Sequence, residues 1–274
     1  MNPADPLFDL TGKVAAITGG GGVICGAFAR ELGARGVKVA VLDRAVANAQ
    51  NVVDQINAAG GTALAVACDV LDLASIRAAA DTIIGAFGRI DILINGAGGN
   101  KKEATTGPEM SFFDIPADAL RFVIDLNLLG SVLPSQVFGK IMAEQKDGVI
   151  LNISSMNSFR PLTKIIGYST AKAAINNFTQ WLAVHIAQNY SPNVRVNAMA
   201  PGFFETEQNK FLLRTEAGEL TARGRQIVDH TPAGRFGVPE DMLGTLVWLL
   251  APASRFVTGI VVPVDGGFSA FSGV

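Results

Sequence analysis

The sequence contains few of the residues that build disulfide frameworks and metal sites. Among its 274 residues there are two cysteines and two histidines. Two cysteines are too few for a disulfide framework, and we expect Cys25 and Cys68 to be reduced thiols in a cytoplasmic protein. Because there is no cysteine–histidine cluster, no metal site is expected, and His230 is interpreted as a structural residue.

Charged residues and long apolar runs are scarce as well. Charged side chains make up 17% of the chain and the formal net charge is -2, with Lys101-Lys102 as the notable basic pair. We therefore expect no nucleic-acid surface. No apolar stretch reaches about 18 residues without a charge or a helix breaker, and the N-terminus lacks the basic and apolar regions of a signal peptide. The sequence thus predicts neither a membrane span nor a cleaved leader.

The chain instead alternates short apolar runs with longer, alanine-rich amphipathic stretches. Seven runs are predicted to be strands: 13–18, 37–42, 62–68, 90–95, 148–153, 194–199 and 260–264. Helices are predicted at about 24–35, 45–58, 72–87, 117–144, 168–190 and 239–251. This alternation predicts an α/β fold, a single-domain, doubly wound (Rossmann-type) parallel sheet of about seven strands over residues 1–274. Its ligands should bind at the carboxyl ends of the strands, and the polar segment 203–236 is interpreted as a substrate lid over that site.

Four consecutive glycines, Gly19 to Gly22, lie between the first predicted strand and the first predicted helix. Backbone N–H groups in such a turn hold the pyrophosphate of a dinucleotide. The spacing does not fit G-x-G-x-x-G, since Cys25 replaces the last glycine. A flexible linker is the alternative, but a linker would not join a buried strand to an amphipathic helix.

An acidic residue follows about 20 residues later, where Asp43 ends the second predicted strand. An acid at this place binds the adenosine ribose hydroxyls and repels a 2′-phosphate, which favours NAD(H). Arg44 could hold that phosphate, so NADP(H) remains open. A loop or helix-capping role is the alternative for Asp43.

Tyr168 and Lys172 are four residues apart at the start of a predicted helix, so their side chains share one face. A phenol with a reference pKa of about 10 needs a nearby cation to exchange protons near neutral pH, and Lys172 supplies one. Ser154 and Ser155 close the preceding strand, where a hydroxyl can bond a substrate oxygen. A solvated helix face is the alternative for the Tyr-x-x-x-Lys pattern, but it accounts for neither the serines nor the glycines.

From "GKVAAITGG" to "VTGIVVPVDGG", the chain resembles the classical short-chain dehydrogenase/reductase family. The family's serine stands thirteen residues before its tyrosine, which selects Ser155, and its asparagine matches Asn127 in "DLNLLGS". The resemblance implies hydride transfer between a nicotinamide and a carbonyl or alcohol carbon. Tyr168 would exchange the proton, Ser155 would bond the oxygen, Lys172 would lower the Tyr168 pKa, and Asn127 would position a water of the proton relay.

The glycine turn and the resemblance together imply a set of cofactor contacts. They are Gly19, Gly21, Gly22, Val23, Ile24, Asp43, Arg44, Asp69, Val70, Asn95, Gly96, Ala97, Tyr168, Lys172, Pro201, Gly202 and Thr206. The chain departs from the family pattern at Val23 and Cys25, which replace glycines, and at Gly96, which replaces an asparagine. Cys25 is interpreted as a small buried thiol, with a redox-sensitive gate as the alternative.

Other segments indicate the substrate. The stretches "NGAGGNKKEATT", "NISSMNSFRPLTK" and "VDGGFSAFSGV" are similar to the D-mannonate oxidoreductases, or fructuronate reductases, with gluconate 5-dehydrogenases and other polyol dehydrogenases as near relatives. The predicted substrate contacts are Asn100, Lys101, Ser155, Asn157, Arg160, Tyr168 and Asn209. Arg160 is the first choice for the carboxylate, through its bidentate guanidinium, with a solvated or interface position as the alternative.

The family usually forms tetramers, and the apolar C-terminal tail is in keeping with a homotetramer. A protein that binds the dinucleotide without turnover is the alternative from a different functional class. The presence of all four residues of the catalytic pattern disfavours it.

Overall fold

The computed structural model describes residues 5–205 and 213–273. Within these ranges the chain forms one parallel sheet of seven strands in the order β3-β2-β1-β4-β5-β6-β7. The strands are β1 Val14–Thr18, β2 Lys38–Asp43, β3 Thr62–Ala67, β4 Ile92–Asn95, β5 Gly148–Ile153, β6 Val194–Pro201 and β7 Val261–Val264. The order reverses between β1 and β4, which is where ligands bind in doubly wound sheets. The predicted fold class and the seven predicted strands are confirmed.

Helices cover both faces of the sheet. Those of the described ranges are α1 Val23–Ala34, α2 Val46–Ala58, α3 Leu73–Phe87, α4 Ala117–Ile124, α5 Gly130–Gln145, α6 Ile166–Asn189, α7 Ala222–His230 and α8 Leu243–Leu250. A π-helical turn, Asp125–Leu129, joins α4 to α5, so the predicted helix 117–144 is interrupted. Side chains of β1 alternate between two cores: Ile17 packs in the core that contains Phe28, and Ala16 in the one that contains Phe138. Burial on both faces is the reason the strands read as continuous apolar runs.

Among the described residues, one helical stretch, Ala117–Gln145, is long and apolar enough to cross a membrane by length and composition alone. Its apolar window is 44% buried inside the fold. Phe138 and Met142 of this stretch are fully buried in the core beside the sheet. A core helix of a doubly wound domain has the same apolar character.

The segment 203–236, predicted to be a lid, includes a helix that the sequence pattern did not indicate. Ile227 of α7 packs with Leu213 and Phe236 in a small apolar cluster of its own. The helix was missed because Ala222–His230 has few apolar residues; its start is marked by Thr221, whose side chain accepts a backbone hydrogen bond. Closure of this segment over a substrate stays a prediction.

Candidate active site

The glycine turn between β1 and α1 is tight. Gly19 has a φ of +62°, and a Cβ at this position would lie 2.9 Å from the Cα atom of Ala97, so only glycine fits. Gly22 is the N-cap of α1, and no side chain caps this helix end. The first N–H groups of a helix have no partner inside the helix, so those of α1 are available to an anion. The helix begins at Val23 although a glycine of the family pattern is missing there.

Asp43 uses both carboxylate oxygens to hold the backbone around this turn. Its Oδ2 accepts a hydrogen bond of 3.2 Å from the Gly21 N–H, and its Oδ1 accepts one of 2.9 Å from the Ala45 N–H. The loop-acid interpretation therefore describes part of what Asp43 does. A carboxylate has about four acceptor positions, so further acceptor capacity remains for ribose hydroxyls. Arg44 beside it is exposed.

Asp69 and Val70 follow β3 at the same edge of the sheet. The Cys68 N–H donates to the Asp43 carbonyl at 3.1 Å, which ties this segment to the end of β2. Asp69 Oδ1 accepts from the Leu71 N–H at 2.9 Å. Val70 is buried. The structure thus brings both residues close to the end of β2, where Asp43 lies.

The end of β4 is joined to the end of β1 through one hydroxyl. Thr18 Oγ1 accepts from the Gly96 N–H at 3.1 Å and from the Ala97 N–H at 3.2 Å. Asn95 is buried, and its Nδ2 donates to Asn152 Oδ1 at 2.8 Å. The Asn95 amide therefore links β4 to β5 inside the sheet, a use that the sequence did not indicate.

Ser155, Tyr168 and Lys172 lie together at the carboxyl end of β5. Burial raises the pKa of Tyr168, and the nearby Ser155 side chain acts in the opposite direction. Lys172 Nζ lies 5.5 Å from the centroid of the Tyr168 ring. It also donates a 2.7 Å hydrogen bond to the carbonyl oxygen of Ile153. Burial lowers the pKa of Lys172 to about 8.

Ser154, the neighbour of Ser155, is engaged in a different set of contacts. Its hydroxyl donates to Asn176 Oδ1 at 2.6 Å and is 3.3 Å from the Lys172 carbonyl oxygen, which pins β5 to α6. Ser155 Oγ instead accepts from the Asn157 N–H at 3.3 Å. The structure therefore places Ser155, and not Ser154, beside the tyrosine.

Asn127 lies in the π-helical turn, a feature that often marks functional sites. Its Nδ2 donates to the carbonyl oxygens of Gly99 at 2.7 Å and Val123 at 2.8 Å, and its Oδ1 accepts from the Gly99 N–H at 3.2 Å. A Cβ built on Gly98 would lie 2.7 Å from Asn127 Oδ1 and 3.3 Å from Lys172 Nζ. Asn127 and Lys172 therefore flank the same glycine.

The carboxyl end of β6 lies at the same edge of the sheet. Pro201 closes the strand, and the Gly202 N–H donates to the Val264 carbonyl at 2.9 Å. Thr206 and Asn209, predicted to contact cofactor and substrate, lie outside the described residues.

The remaining predicted substrate contacts do not form one group. Arg160 is exposed, and its Nε donates to the Ser269 carbonyl at 2.7 Å. Lys101 Nζ instead lies 5.4 Å from the centroid of the Phe122 ring, and Asn100 Nδ2 donates to Thr105 Oγ1 at 2.7 Å. The structure therefore does not bring Lys101 and Arg160 into the same surroundings.

Arg160 borders a cavity of about 830 Å³ between the loop before α6, α7 and the C-terminal tail. Its further lining includes Lys164, Phe203, His230, Phe268 and Phe271. The sequence did not indicate these side chains, because the three segments come together only in the fold. His230 packs its ring on Phe268 and Phe271, in keeping with the structural interpretation.

Asn157, close to Ser155 in the chain, is buried, and its Oδ1 has no hydrogen-bond partner among the described residues. Such an atom is costly to leave unpaired, so it is a candidate for a ligand or a water.

Both thiols are buried. Burial raises the pKa of Cys25 to about 12 and that of Cys68 to about 11. Because the thiolate is the reactive form, these values favour inert thiols and disfavour a redox gate at Cys25. Within the described ranges, no group of three His, Cys, Asp or Glu side chains is arranged to hold a metal ion.

Comparison with known proteins relates this geometry to a family. The family model for short chain dehydrogenases matches residues 13–217. A Bacillus subtilis (strain 168) protein named uncharacterized oxidoreductase UxuB is 52% identical over 279 residues, which span 98% of this chain and 99% of that protein. The 5-keto-D-gluconate 5-reductase of Escherichia coli (strain K12) is 34% identical over 261 residues, spanning 95% and 97% of the two chains.

A solved structure shows the same architecture. A candidate D-mannonate oxidoreductase from Haemophilus influenza, with bound NAD, matches with a TM-score of 0.92 and 47% identity over 97% of this chain and 98% of that one. The chain therefore belongs to the short-chain dehydrogenase family of oxidoreductases.

Proposed function

We propose that the protein is an NAD(H)-dependent enzyme that interconverts a keto sugar acid and its hydroxy acid, with D-fructuronate and D-mannonate as the pair. The observation that supports the reaction most directly is that Ser155 lies beside Tyr168 while Lys172 Nζ lies 5.5 Å from the centroid of the Tyr168 ring. This arrangement supplies a phenol, a hydrogen-bond donor and a cation at the carboxyl end of a buried strand.

The residues around the glycine turn fit a dinucleotide. The uncapped N-terminus of α1 suits the pyrophosphate, and the Asp43 carboxylate suits the adenosine ribose. The related Haemophilus structure contains NAD, which supports the same cofactor here. When bound, the nicotinamide supplies the hydride for carbonyl reduction or accepts it from an alcohol.

The chain's own groups handle the proton and the substrate oxygen. In the reducing direction the Tyr168 hydroxyl donates its proton to the carbonyl oxygen, and Ser155 donates a hydrogen bond to that oxygen. Burial alone makes the Tyr168 proton hard to lose, since its pKa is raised. The Lys172 ammonium, held by the Ile153 carbonyl, offsets this effect by stabilising the phenolate.

Asn127 contributes by position. Its amide is bonded to Gly99 and Val123, so it fixes the segment that lies against Lys172. In this proposal Asn127 holds the water of a proton relay that ends at the lysine.

Arg160 is the proposed partner of the substrate carboxylate. The Ser269 carbonyl holds its Nε, and the two Nη groups of the guanidinium can then bind both oxygens of a carboxylate. The cavity it borders, of about 830 Å³, combines cationic and aromatic lining with the acidic Asp229; Ser155 and Tyr168 are not among its lining residues. Asn157, Asn100 and Lys101 stay predicted hydroxyl and carboxylate contacts.

We also infer a homotetramer that acts in the cytoplasm. Trp181 and Val184 of α6, and Tyr190 directly after it, are each more than half exposed, at 56%, 56% and 54%. Exposed apolar side chains on one helix support burial against another subunit. Light scattering of the purified protein would test the subunit number.

The test of the proposed function is turnover of NADH with three substrates: D-fructuronate, 5-keto-D-gluconate and a neutral ketone, each repeated with NADPH. The expected result is fast turnover with fructuronate and NADH, and slow turnover in the other arms. Preference for 5-keto-D-gluconate would favour the gluconate 5-dehydrogenase alternative, which the 34% identical reductase supports. NADH binding without turnover of any carbonyl would favour a non-catalytic binding protein.

A further inference from the structure

We propose that Cys25 and Gly96 form a complementary pair that sets the spacing between the first turn of α1 and the end of β4, and thereby positions the two sides of the dinucleotide site. This inference rests on the proposed NAD(H) site. It assigns Cys25 a positioning role that acts through Gly96 and the glycine turn.

The two residues share one volume. A Cβ built on Gly96 would overlap the Sγ atom of Cys25, while it would lie 3.6 Å from the Cys25 Cβ. The sulfur atom therefore occupies the space that a side chain at position 96 would need. Cys25 is 5% exposed, so the sulfur atom cannot move out into solvent.

The sequence shows the same exchange. Where the family pattern has a glycine, this chain has Cys25; where the family pattern has an asparagine, it has Gly96. Relative to that pattern, the chain carries a side chain on the helix and none at the strand end, at two positions in contact. The absence of a side chain at Gly96 leaves the space that the Cys25 sulfur atom fills.

The pair lies between the groups that the cofactor needs. Cys25 is in the first turn of α1, whose uncapped N–H groups are the proposed pyrophosphate donors. Gly96 is fixed by Thr18 Oγ1 at the end of β4, next to Ala97. A side chain forced in at position 96 would push the first turn of α1 away from β4 and displace those donors.

The experiment is a double-mutant cycle with Gly96→Ala, Cys25→Ala and the double variant, measuring the NADH dissociation constant by fluorescence and the thermal midpoint of each protein. We expect Gly96→Ala alone to weaken NADH binding about tenfold or more, and the double variant to recover most of that loss. Recovery should be incomplete, because the new Cβ would still lie 2.9 Å from the Thr18 carbonyl oxygen. Gly85→Ala on α3 is the matched control, since a Cβ there meets nothing within 4 Å.

Two results would overturn the proposal. One is an additive cycle, in which the double variant binds NADH as weakly as the two single losses predict. The other is a lowered thermal midpoint in Gly96→Ala with an unchanged dissociation constant, which would reduce the pair to core packing. If Gly96→Ala alone does not fold, a folded double variant that binds NADH supports the pair, and an unfolded one overturns it. Absence of NADH binding by the unmutated protein would instead overturn the proposed function, and the pair's role with it.

Discussion

Lys172 Nζ and the carbonyl oxygen of Ile153 are joined by a 2.7 Å hydrogen bond at the carboxyl end of β5. The bond holds a buried ammonium group whose pKa burial lowers from 10.5 to about 8. Below about pH 8 the group is charged in the folded and the unfolded chain alike. Between pH 8 and 10.5 the folded chain releases this proton first, so the contribution of Lys172 to the free energy of unfolding rises with pH.

The cofactor-free protein should therefore gain stability relative to Lys172→Met between pH 7 and pH 9.5. Urea denaturation of both proteins at the two pH values measures this difference. Lys140→Met, which removes an exposed lysine, is the control and should follow the unmutated protein. Parallel curves for Lys172→Met and the unmutated protein would show that Lys172 has an ordinary pKa.

The two adjacent serines offer a matched comparison. Ser155→Ala removes the hydroxyl beside Tyr168, so kcat should fall by about 10²-fold or more with little change in the thermal midpoint. Ser154→Ala removes the bond to Asn176, so the free energy of unfolding should fall by about 1 to 3 kcal/mol with a smaller effect on kcat. Steady-state kinetics and urea denaturation of both variants distinguish the catalytic serine from the structural one. The opposite pattern would make Ser154 the reacting serine.

Strand positions could be predicted because burial on both sides of the sheet leaves an unbroken apolar run, as in β1. The π-helical turn at Asn127 could not, since the apolar pattern of 117–144 continues through it. Helix α7 was missed because a short surface helix needs few apolar residues. Each miss concerns a feature that depends on backbone hydrogen bonding or on local capping more than on composition.

In the site, too, only the features that depend on local sequence spacing could be predicted. The neighbourhood of Tyr168 and Lys172 follows from their spacing of four on one helix, which is local information. The Ile153 carbonyl that binds Lys172 could not be predicted from the sequence, because every residue has a backbone carbonyl group. The sequence predicts one site for Lys101 and Arg160, because both follow strands of the same sheet. In the fold, the long loops after those strands lead them to different neighbours, Phe122 and Ser269.

The charge of Asp43 should determine the choice between the two dinucleotides. Asp43→Asn keeps an oxygen acceptor for the Ala45 N–H but removes the charge that repels a 2′-phosphate. We expect the ratio of kcat/KM for NADH to that for NADPH to fall about tenfold or more. Arg44→Ala in the same background should reverse part of the gain in NADPH use. A ratio unchanged by Asp43→Asn would show that Asp43 only holds the glycine turn.

Neither thiol should react in the native protein. The pKa values of about 12 for Cys25 and about 11 for Cys68 leave almost no thiolate at pH 8. We expect no reaction of either thiol with a disulfide reagent over an hour at pH 8, and reaction of both after denaturation in guanidinium chloride. Activity should be unchanged by the reagent. Rapid native labelling of Cys25 with loss of activity would restore the redox-gate interpretation.

Arg160 should govern affinity for the acidic substrate and leave cofactor binding unchanged. Arg160→Ala removes the guanidinium, and a lost hydrogen bond to a charged group costs about 1.5 to 3 kcal/mol. The KM for the keto sugar acid should therefore rise about tenfold or more, while the KM for NADH changes little. Arg160→Lys keeps the positive charge but loses the bidentate guanidinium. Its KM for the keto sugar acid should lie between those of the unmutated protein and Arg160→Ala.

Lys101→Ala provides the comparison for this prediction, because Lys101 lies over Phe122 and not beside the Arg160 cavity. Its effect on the KM for the sugar acid should be smaller than that of Arg160→Ala. The same assays with a neutral ketone separate charge recognition from damage to the fold, since a neutral substrate does not need the guanidinium. A larger effect of Lys101→Ala, or equal losses on acidic and neutral substrates in Arg160→Ala, would move the carboxylate site away from Arg160.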